Sequence, residues 1–348
     1  MAVIREEHFF MTAELRNVDY EPAFQMNDRI IQLSMRIADL GGFYSGRVYH
    51  QQSLHLRKDS RINTIYSSLA IENNQLSKEQ VTALINGKRV LGPKRDIREV
   101  KNADAVYKLL PVLDPFSESD FLRAHGILTS DLVSSPGRYR NRQVGVFEGE
   151  KLIHAGIPAR LVSETMGQLF EWLRKSPVNL VVKSCIFHYE MVFIHPFEDG
   201  NGRMARLWQS LILSQWNSIF SWLPVETLVF ENQDSYYQAI QISDRTGTSV
   251  PFVEFMLECI LKVLEEAVEA INGSVTENNL PAEPAADLDG GILDILSRHP
   301  SMTVASLAEA LNLPKRRIER HIAQLKKQNR LHREGSARSG RWVVKHPV

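Results

Sequence analysis

The chain has 348 residues, of which 43% are hydrophobic and 24% charged, and its formal net charge is zero. These values are typical of globular proteins and exclude a fibrous, disordered or disulfide-scaffold chain; the length is enough for more than one domain. No run approaches the roughly 18 apolar residues of a membrane span, and the N-terminus lacks a signal-peptide layout. Cys185 and Cys259 lie in apolar helical patterns, which predicts buried thiols. We therefore expect a cytoplasmic protein without a membrane partner.

Composition and periodicity divide the chain into four parts. Residues 1–50 form a helical leader, and residues 51–271 form a larger helical core. Residues 272–291 are rich in Asn, Pro, Ala, Gly and acids, which is typical of a linker. Residues 292–348 have their own pattern of helices and strands, which predicts a small second domain.

Near the start of the core, residues 62–76 are predicted to be helical. Ser68 and Glu72 are four apart in this segment, so they share one helical face, and Asn73 follows them. As a pattern alone, Ser-x-x-x-Glu is common and is typical of a surface helix.

Further along the core, a short hairpin is predicted between residues 137 and 158. Its two arms are residues 137–144 and 153–158, in which β-branched residues, glycines and Pro158 fit short strands and their ends. The segment from Phe147 to Lys151 is predicted to form the turn.

Residues 195–206, with the sequence His-Pro-Phe-Glu-Asp-Gly-Asn-Gly-Arg-Met-Ala-Arg, hold the chemistry-bearing groups of the chain. Apolar residues at spacings of three and four flank this run on both sides, which predicts a loop that opens a helix. The spacing excludes a calcium EF-hand, because Ser210 stands where that loop needs Glu, and the run is neither a Walker loop nor a zincin motif. Its groups suit the transfer of a phosphate-bearing group.

The glycines of this run predict an anion site. Gly200 and Gly202 allow positive φ and lack the Cβ atoms that would keep a ligand off the backbone. Asn201 between them tolerates left-handed conformations and can bond its own backbone. The N–H groups of such a turn, together with the N-terminal end of the following helix, bind anions.

The charged side chains of the run fit phosphate chemistry. Arg203 and Arg206 are three apart on one helix, so they are expected to point the same way and to bind phosphate oxygens. Asp199 is an oxygen ligand of the kind that Mg²⁺ takes together with substrate phosphates. Histidine titrates near neutrality, so His195 is a candidate proton acceptor for an attacking hydroxyl.

Beyond the linker, the sequence predicts three helices and a hairpin. Helices begin at Ile292, Thr303 and Lys315, and Leu313-Pro314 turns the chain before the third. Residues 330–344 read as two short strands around a glycine-rich connection. The positions expected to be buried are Leu307, Ala308, Leu311, Ile318, Ile322 and Leu325.

This pattern resembles a winged helix-turn-helix, and its charge is strongly positive. Residues 315–345 hold eleven Lys and Arg against Glu319 and Glu334, a balance of +9. Such a surface suits contacts with DNA phosphates. The same fold also serves for protein interaction, so both uses of residues 292–345 stay open.

The run from His195 to Arg206 resembles the Fic-family motif, His-x-Phe-x-Asp/Glu-Gly-Asn-Gly-Arg-x-x-Arg, at every fixed position. The resemblance implies an all-α fold, with a Fic helical core, a short β-hairpin flap and, here, a small C-terminal winged-helix domain. It implies transfer of AMP from ATP to a hydroxyl side chain of a target protein, with ATP as the substrate and Mg²⁺ as the cofactor.

The resemblance also implies a role for each group of the motif. His195 would be the general base and Asp199 would hold Mg²⁺. The backbone of 200–203 would cradle the α-phosphate, and Arg203 and Arg206 would bind the distal phosphates.

Three further segments resemble parts of the same family. Ser68 to Asn73 is similar to its inhibitory motif, Ser/Thr-x-x-x-Glu-Gly/Asn, which implies that Glu72 pairs with Arg206 and displaces the γ-phosphate. The predicted hairpin resembles the substrate-binding flap, with Ile153, His154, Ala155 and Gly156 as its site residues. Tyr236 and Tyr237 resemble the pair that lines the adenine pocket, although two tyrosines packing a helix against the core fit the sequence as well. Asp244 stands where the family often carries Asn.

Two classes of function remain. The first is an autoinhibited protein adenylyltransferase, and the second is a DNA-binding regulator whose core senses nucleotide. His195 favours the enzyme, because a sensor needs no base. Within the enzyme class, removal of AMP, with Glu72 orienting a water, is the alternative. The candidate partners are a target protein with a Ser, Thr or Tyr acceptor, the chain itself as acceptor, a second copy in a homodimer, and DNA through 292–345.

Overall fold

The computed structural model of the chain divides into two compact units, residues 1–271 and 272–348. The residues that it describes are 21–48, 54–143, 145–148, 151–221, 223, 225–276, 292–293, 295–310, 315–328, 330–334 and 341–344. Helices dominate this part of the chain, with two short antiparallel hairpins, so the predicted all-α class is confirmed. No helix of the described residues is long and apolar enough to cross a membrane.

The first unit is built from helices, with one hairpin between the fifth and sixth. The helices are α1 Asp28–Val48, α2 Leu54–Ile71, α3 Lys78–Ile85, α4 Lys94–Leu109, α5 Glu118–Leu128, α6 Val162–Lys175, α7 Leu180–Ile194, α8 Asn201–Trp216, α9 Val225–Glu231, α10 Gln233–Thr246 and α11 Val250–Thr276.

The central element of this unit is α7. It is apolar on nearly every side, so it is buried on nearly every side and separates two hydrophobic clusters. One cluster comes from α1, α9, α10 and α11, and the other from α2 and α4 to α8. In the second cluster, Phe121 packs against Phe187, Trp208 and Phe197, with ring centroids 6.2, 5.0 and 5.4 Å apart. Because Phe197 belongs to the 195–206 run, the run is anchored in the core.

The helical leader predicted at residues 1–50 contributes helix α1, Asp28–Val48. Its inward face, Ile30, Leu33 and Ile37, is buried in the first cluster. Residues 28–48 therefore pack as part of the first unit.

A hairpin is present, but its first strand follows the predicted arm 137–144, of which residues 137–143 form no strand, and its turn is shorter than the sequence indicated. Strands β1 (Gly145–Glu148) and β2 (Lys151–Ala155) pair antiparallel, from Gly145 opposite Ala155 to Glu148 opposite Lys151. The predicted turn from Phe147 to Lys151 is thus wrong in extent, because its ends take part in the ladder. Only residues 149 and 150 connect the strands, and they lie outside the described residues.

Two further boundaries can be compared with the structure. Helix α11 continues to Thr276, five residues past the predicted end of the core at 271, since propagation of a helix adds one hydrogen bond per residue. Residues 277–291 lie outside the described residues. Cys185 and Cys259 are free, buried thiols, as predicted, and burial raises the pKa of each to about 12.

The second unit has the helices and strands of a winged helix. Residues 292–293 and 295–298 are helical. They are followed by α12 (Val304–Ala310), α13 (Lys315–Lys327), β3 (Leu331–Glu334) and β4 (Arg341–Val344), with β3 paired antiparallel to β4. The hydroxyl of Thr303 caps α12 by accepting the N–H of Ser306 at 3.1 Å. The buried positions include Leu307, Ala308, Ile318, Ile322 and Leu325, as predicted, whereas Leu311, Leu313 and Pro314 lie outside the described residues.

Candidate active site

The loop that carries the predicted chemistry begins at His195, where α7 ends. His195 has a left-handed backbone, with φ 53° and ψ 59°, and its N–H donates to the carbonyl of Met191 at 3.1 Å. Positive φ is uncommon for a residue other than glycine and costs on the order of 1–3 kcal/mol. The surrounding structure must therefore hold His195 in this conformation.

Arg140 provides this support. Its side chain is buried, and its Nε donates to the carbonyl of His195 at 2.7 Å. The Nη2 atom of its guanidinium also donates to the carbonyls of Ile157 (2.5 Å) and Ile194 (3.3 Å). The backbone N–H of Arg140 donates to the carbonyl of Pro196 (2.9 Å). Burial lowers the pKa of Arg140 from its ordinary value. Arg140 thus ties the base of the hairpin to the start of the loop.

Asn201 closes the loop through its side chain. Its Oδ1 accepts the N–H of Phe197 and its Nδ2 donates to the carbonyl of Phe197, both at 2.9 Å. The left-handed position predicted for this turn is at Gly200, with φ 85°, whereas Asn201 is already the first residue of α8. A Cβ atom on Gly200 would lie 3.0 Å from a methyl group of Thr129, so both space and conformation require glycine there.

His125, a residue outside the predicted site, supports the same loop from helix α5. Its Nδ1 accepts the N–H of Gly137 at 3.0 Å, so its Nε2 carries the hydrogen and donates to the carbonyl of Asp199 at 3.1 Å. The ring stacks on Phe197 with centroids 3.6 Å apart. Burial lowers the pKa of His125 to about 4, so the ring is neutral near pH 7. Its partners come from distant parts of the chain, which is why no local pattern marks it.

The N-terminal end of α8 is the predicted anion site. The first N–H groups of a helix have no acceptor within the helix, and they carry the positive end of its dipole. Gly202 lies in this first turn with an ordinary helical backbone, so the positive φ expected for it is not observed. A side chain at this position would collide with the carboxylate of Glu72 and would lie 3.1 Å from a guanidinium nitrogen of Arg206. Glycine is needed at 202 because a carboxylate already lies against the turn.

Glu72 and Arg206 form the ion pair that the family resemblance implies. The Nη2 atom of Arg206 donates to Oε1 of Glu72 at 2.7 Å and to the carbonyl of Ser68 at 3.0 Å, while Nε donates to the Ser68 hydroxyl at 3.1 Å. The Arg206 side chain is 2% exposed and that of Glu72 is 32% exposed. Burial lowers the pKa of Arg206, but the charge and hydrogen bond of Glu72, together with Tyr236 and Tyr237, more than offset this, so the pKa lies above its ordinary value.

Glu72 is placed by the end of α2, which comes earlier than predicted. The predicted helix 62–76 stops one residue before Glu72, because Asn73 takes a left-handed backbone with φ 63° and the N–H of Asn74 returns to the carbonyl of Leu69 at 3.1 Å. This is the hydrogen-bonding pattern of a Schellman cap, whose left-handed position favours Gly or Asn. The cap explains why Asn73 follows Glu72, and it turns the carboxylate toward α8.

Asp199 is bound by arginines on both of its oxygens. Oδ1 accepts from Arg203 (2.8 Å) and from the N–H of Gly200 (2.6 Å), and Oδ2 accepts from Arg95 (2.7 Å). Burial raises the pKa of Asp199, but the charges of Arg203 and Arg95 and the Gly200 hydrogen bond leave it below its ordinary value. The carboxylate is therefore ionised near pH 7.

Arg203 and Arg206 do not share a partner, contrary to the expectation that they point the same way. Arg203 binds Asp199 and lies 3.3 Å from Glu99 of α4, whereas Arg206 binds Ser68 and Glu72. Two like charges three residues apart on one helix repel each other, so each arginine side chain pairs with a different carboxylate.

The fit of Asp199 to a metal ion follows from its chemistry. Mg²⁺ takes oxygen ligands, keeps several waters and is usually held by one or two carboxylates together with substrate phosphates. Asp199 offers one ionised carboxylate that is 34% exposed, next to an anion-binding helix end. Among the described residues, no group of three or more acidic, His or Cys side chains could hold a metal ion. The donor set fits a Mg²⁺ ion that is also bound by phosphates.

The two predicted adenine-pocket tyrosines lie on α10 in different environments. Tyr236 is 2% exposed, and its hydroxyl is 3.0 Å from Nε2 of His188, whose Nδ1 is 2.6 Å from Gln209. Burial lowers the pKa of His188 to about 3 and raises that of Tyr236. Tyr237 packs edge-on against Tyr236 and is 42% exposed. An adenine contact stays a prediction for both, and only the ring of Tyr237 is accessible.

The flap residues lie beside the loop. Ile153, His154 and Ala155 belong to β2, where His154 is opposite Val146. Gly156 follows the strand, and a Cβ atom there would lie 2.8 Å from the guanidinium of Arg140 and 3.0 Å from Cβ of His195. The end of the hairpin is thus in close contact with His195, the predicted general base.

The structure is an all-α protein in which a loop that begins at His195 leads into helix α8, and the Glu72 carboxylate lies against the N-terminal end of that helix. A crystal structure of a Fic family protein from Desulfovibrio desulfuricans G20 is similar, with a TM-score of 0.72 and 37% sequence identity over 94% of this chain and 99% of that one. The chain belongs to the Fic family. The profile of the Fic/DOC family matches residues 115–213, and a profile described as winged helix-turn-helix DNA-binding matches residues 286–331.

Curated relatives match over part of their length. Protein adenylyltransferase fic-1 of Caenorhabditis elegans is 29% identical over 204 residues, which are 55% of this chain and 38% of that protein. Protein adenylyltransferase Fic of Nematostella vectensis is 27% identical over 242 residues, which are 66% of this chain and 53% of that protein. The chain thus spans about half the length of these relatives or less.

Proposed function

We propose that the chain is an autoinhibited protein adenylyltransferase, which transfers AMP from ATP to a Ser, Thr or Tyr hydroxyl of a target protein or of itself. The observation that carries the proposal is the opposition of Glu72 to the N-terminal end of α8, where its carboxylate binds Arg206 at 2.7 Å. The relatives named protein adenylyltransferase support this reaction.

In this proposal the α-phosphate binds at the N–H groups of 200–203, where the helix dipole favours negative charge. Absence of a side chain at Gly202 leaves room for it once Glu72 has moved away. Arg206 and Arg203 then exchange their carboxylate partners for the distal phosphates. Asp199 holds Mg²⁺, which when bound neutralises charge on the phosphates.

His195 acts as the general base: it takes the proton of the acceptor hydroxyl, whose oxygen bonds to the α-phosphorus while the bond to the β-phosphate breaks and pyrophosphate leaves. Its backbone is fixed by Arg140, and Gly156 of the flap lies against its Cβ atom. An acceptor segment added along the hairpin would present its hydroxyl beside the imidazole. Positioning of this kind is a large part of the rate enhancement in group transfer.

The identity of the transferred group, AMP or phosphate, distinguishes an adenylyltransferase from a kinase. Purified protein would be incubated with Mg²⁺ and ATP labelled at the α- or the γ-phosphate, and protein-bound label would be measured. We expect only the α-label to be bound. Incorporation of the γ-label alone would show a kinase and would overturn the proposal.

A second candidate, removal of AMP from a modified protein, rests on the partial exposure of Glu72. In this reaction the Glu72 carboxylate, which is 32% exposed, would orient a water toward a phosphate bound at α8. Loss of α-label from a pre-labelled protein, catalysed by the wild type but not by Glu72→Gly, would favour removal. Label that is stable to the wild type would exclude it.

For the second unit we propose DNA contact through residues 292–345. Lys326 and Lys327 of α13 are exposed, and the +9 balance of 315–345 suits a phosphate backbone. A protein-docking role for the same unit is the alternative, and it would show no binding to DNA even at low salt.

A further inference from the structure

The two arginines that bind Asp199 differ in how firmly they are held. Arg203 comes from the same helix as the motif, and its side chain is 4% exposed. Arg95 comes from the first turn of α4, and its side chain is 58% exposed although its Nη2 lies 2.7 Å from Oδ2 of Asp199. One oxygen of the carboxylate is thus covered by an exposed cation from outside the motif.

Glu99 connects this contact to the inhibitory turn. It is buried one helical turn after Arg95, whose Nε lies 3.4 Å from its Oε1. The same carboxylate lies 3.3 Å from Nη1 of Arg203 and accepts from Nδ2 of Asn74 at 2.8 Å. Asn74 is two residues after Glu72. A continuous series of polar contacts therefore joins the cap that places Glu72 to the carboxylate of Asp199.

We propose that Arg95 occupies the position on Asp199 that Mg²⁺ takes when the nucleotide binds, so that the metal must displace it. This inference rests on the proposed function. A guanidinium and a divalent cation on the same carboxylate oxygen repel each other, because both are positive, and they compete for its lone pairs. Arg95 is then a positioning residue that orients the Asp199 carboxylate in the inhibited protein and competes with the metal.

The competition is weak enough for a bound nucleotide to overcome. Ion pairs as exposed as Arg95–Asp199 contribute little to stability, since water and salt screen them. Mg²⁺ arrives with phosphates that bind at α8, and the displaced Arg95 side chain can return to solvent. Removing Arg95 should therefore lower the Mg²⁺ requirement without changing the fold.

The test is the Mg²⁺ dependence of nucleotide binding by the full chain. Binding of α,β-methylene-ATP, which cannot donate AMP, would be followed by calorimetry over a series of Mg²⁺ concentrations and in EDTA. For Arg95→Ala we expect the half-saturating Mg²⁺ concentration to fall about two- to fivefold, the range for loss of an exposed ion pair. Unchanged thermal unfolding would show that the variant is folded.

Arg98→Ala is the matched control. Arg98 lies on the same helix, is 48% exposed and pairs with Asp131 at 3.2 Å, away from the motif. The Arg98→Ala substitution removes the same charge and should leave the half-saturating Mg²⁺ concentration unchanged. An unchanged midpoint in Arg95→Ala, or an equal shift in both variants, would overturn the inference while leaving the proposed function standing. Failure of the wild type to bind the analogue at any Mg²⁺ concentration would overturn both.

Discussion

Replacing Glu72 with glycine should release the inhibited state. The substitution removes the carboxylate that binds Arg206, and it leaves Arg206 its two contacts with Ser68. Position 72 is partly exposed and lies at the end of α2, where glycine is well tolerated, so we expect the fold to be kept. The end of α8 is then open to the phosphates.

The size of the effect follows from the contact that is lost. A hydrogen bond between charged groups contributes about 1.5–3 kcal/mol, and Arg206 is nearly fully buried. Because about 1.4 kcal/mol corresponds to a factor of ten, the open state gains about ten- to a hundredfold in population. The rate of AMP transfer at saturating ATP should rise by a similar factor.

The assay is the initial rate of α-label incorporation with saturating ATP and Mg²⁺. Glu72→Gln is the matched control, since it keeps the shape of the side chain and replaces a charged hydrogen bond by a weaker neutral one. Its rate should lie between those of the wild type and Glu72→Gly. The double variant Glu72→Gly with Arg206→Ala should stay weak, because a phosphate contact is then missing. Equal rates for wild type and Glu72→Gly would refute the reasoning.

Three more outcomes are expected. His195→Ala should reduce transfer by about 10²–10⁴-fold and leave nucleotide binding intact, and a near-normal rate would contradict its role as the base. His125 and His188, whose pKa values burial lowers from 6.5 to about 4 and about 3, take up protons more readily in the unfolded chain. Their stabilisation is complete above pH 6.5 and is lost as the pH falls toward the folded values, so urea unfolding at pH 5 should show a decrease on the order of 2 kcal/mol per histidine relative to pH 7. An unfolding free energy that does not change with pH would contradict this. Mobility shifts with DNA should give a log–log salt slope of roughly −5 if about six phosphates are neutralised, and a flat response would point away from DNA.

Local patterns predicted the helices on both sides of the motif, those of the second unit and the chemical groups of the motif. The apolar periodicity on both sides of 195–206 placed α7 and α8, and Gly200 has the positive φ that its position indicated. The end of α2 was misplaced because helical periodicity does not reveal a left-handed cap at Asn73. The turn of the hairpin was drawn too long because Phe147 and Glu148 are compatible with either a strand or a turn.

The supporting residues of the site could not be predicted, because their contacts join distant segments. Arg140 and His125 hold the loop by hydrogen bonds to its backbone. Any residue type has the same backbone groups, so these contacts require no recognisable residues at the other end. Arg95 and Glu99 are four apart on α4, a spacing that by itself is typical of an ordinary helix ion pair. Their meaning depends on the approach of α4 to Asp199, which is a property of the tertiary structure.

Intact-mass measurement of the Glu72→Gly protein, incubated with ATP and Mg²⁺ and a candidate acceptor protein, tests the central claim most directly. We predict an added mass equal to one or more AMP groups on the acceptor or on the chain itself. The addition should disappear when His195→Ala is combined with Glu72→Gly. Addition of phosphate, or of AMP that does not depend on His195, would contradict the account.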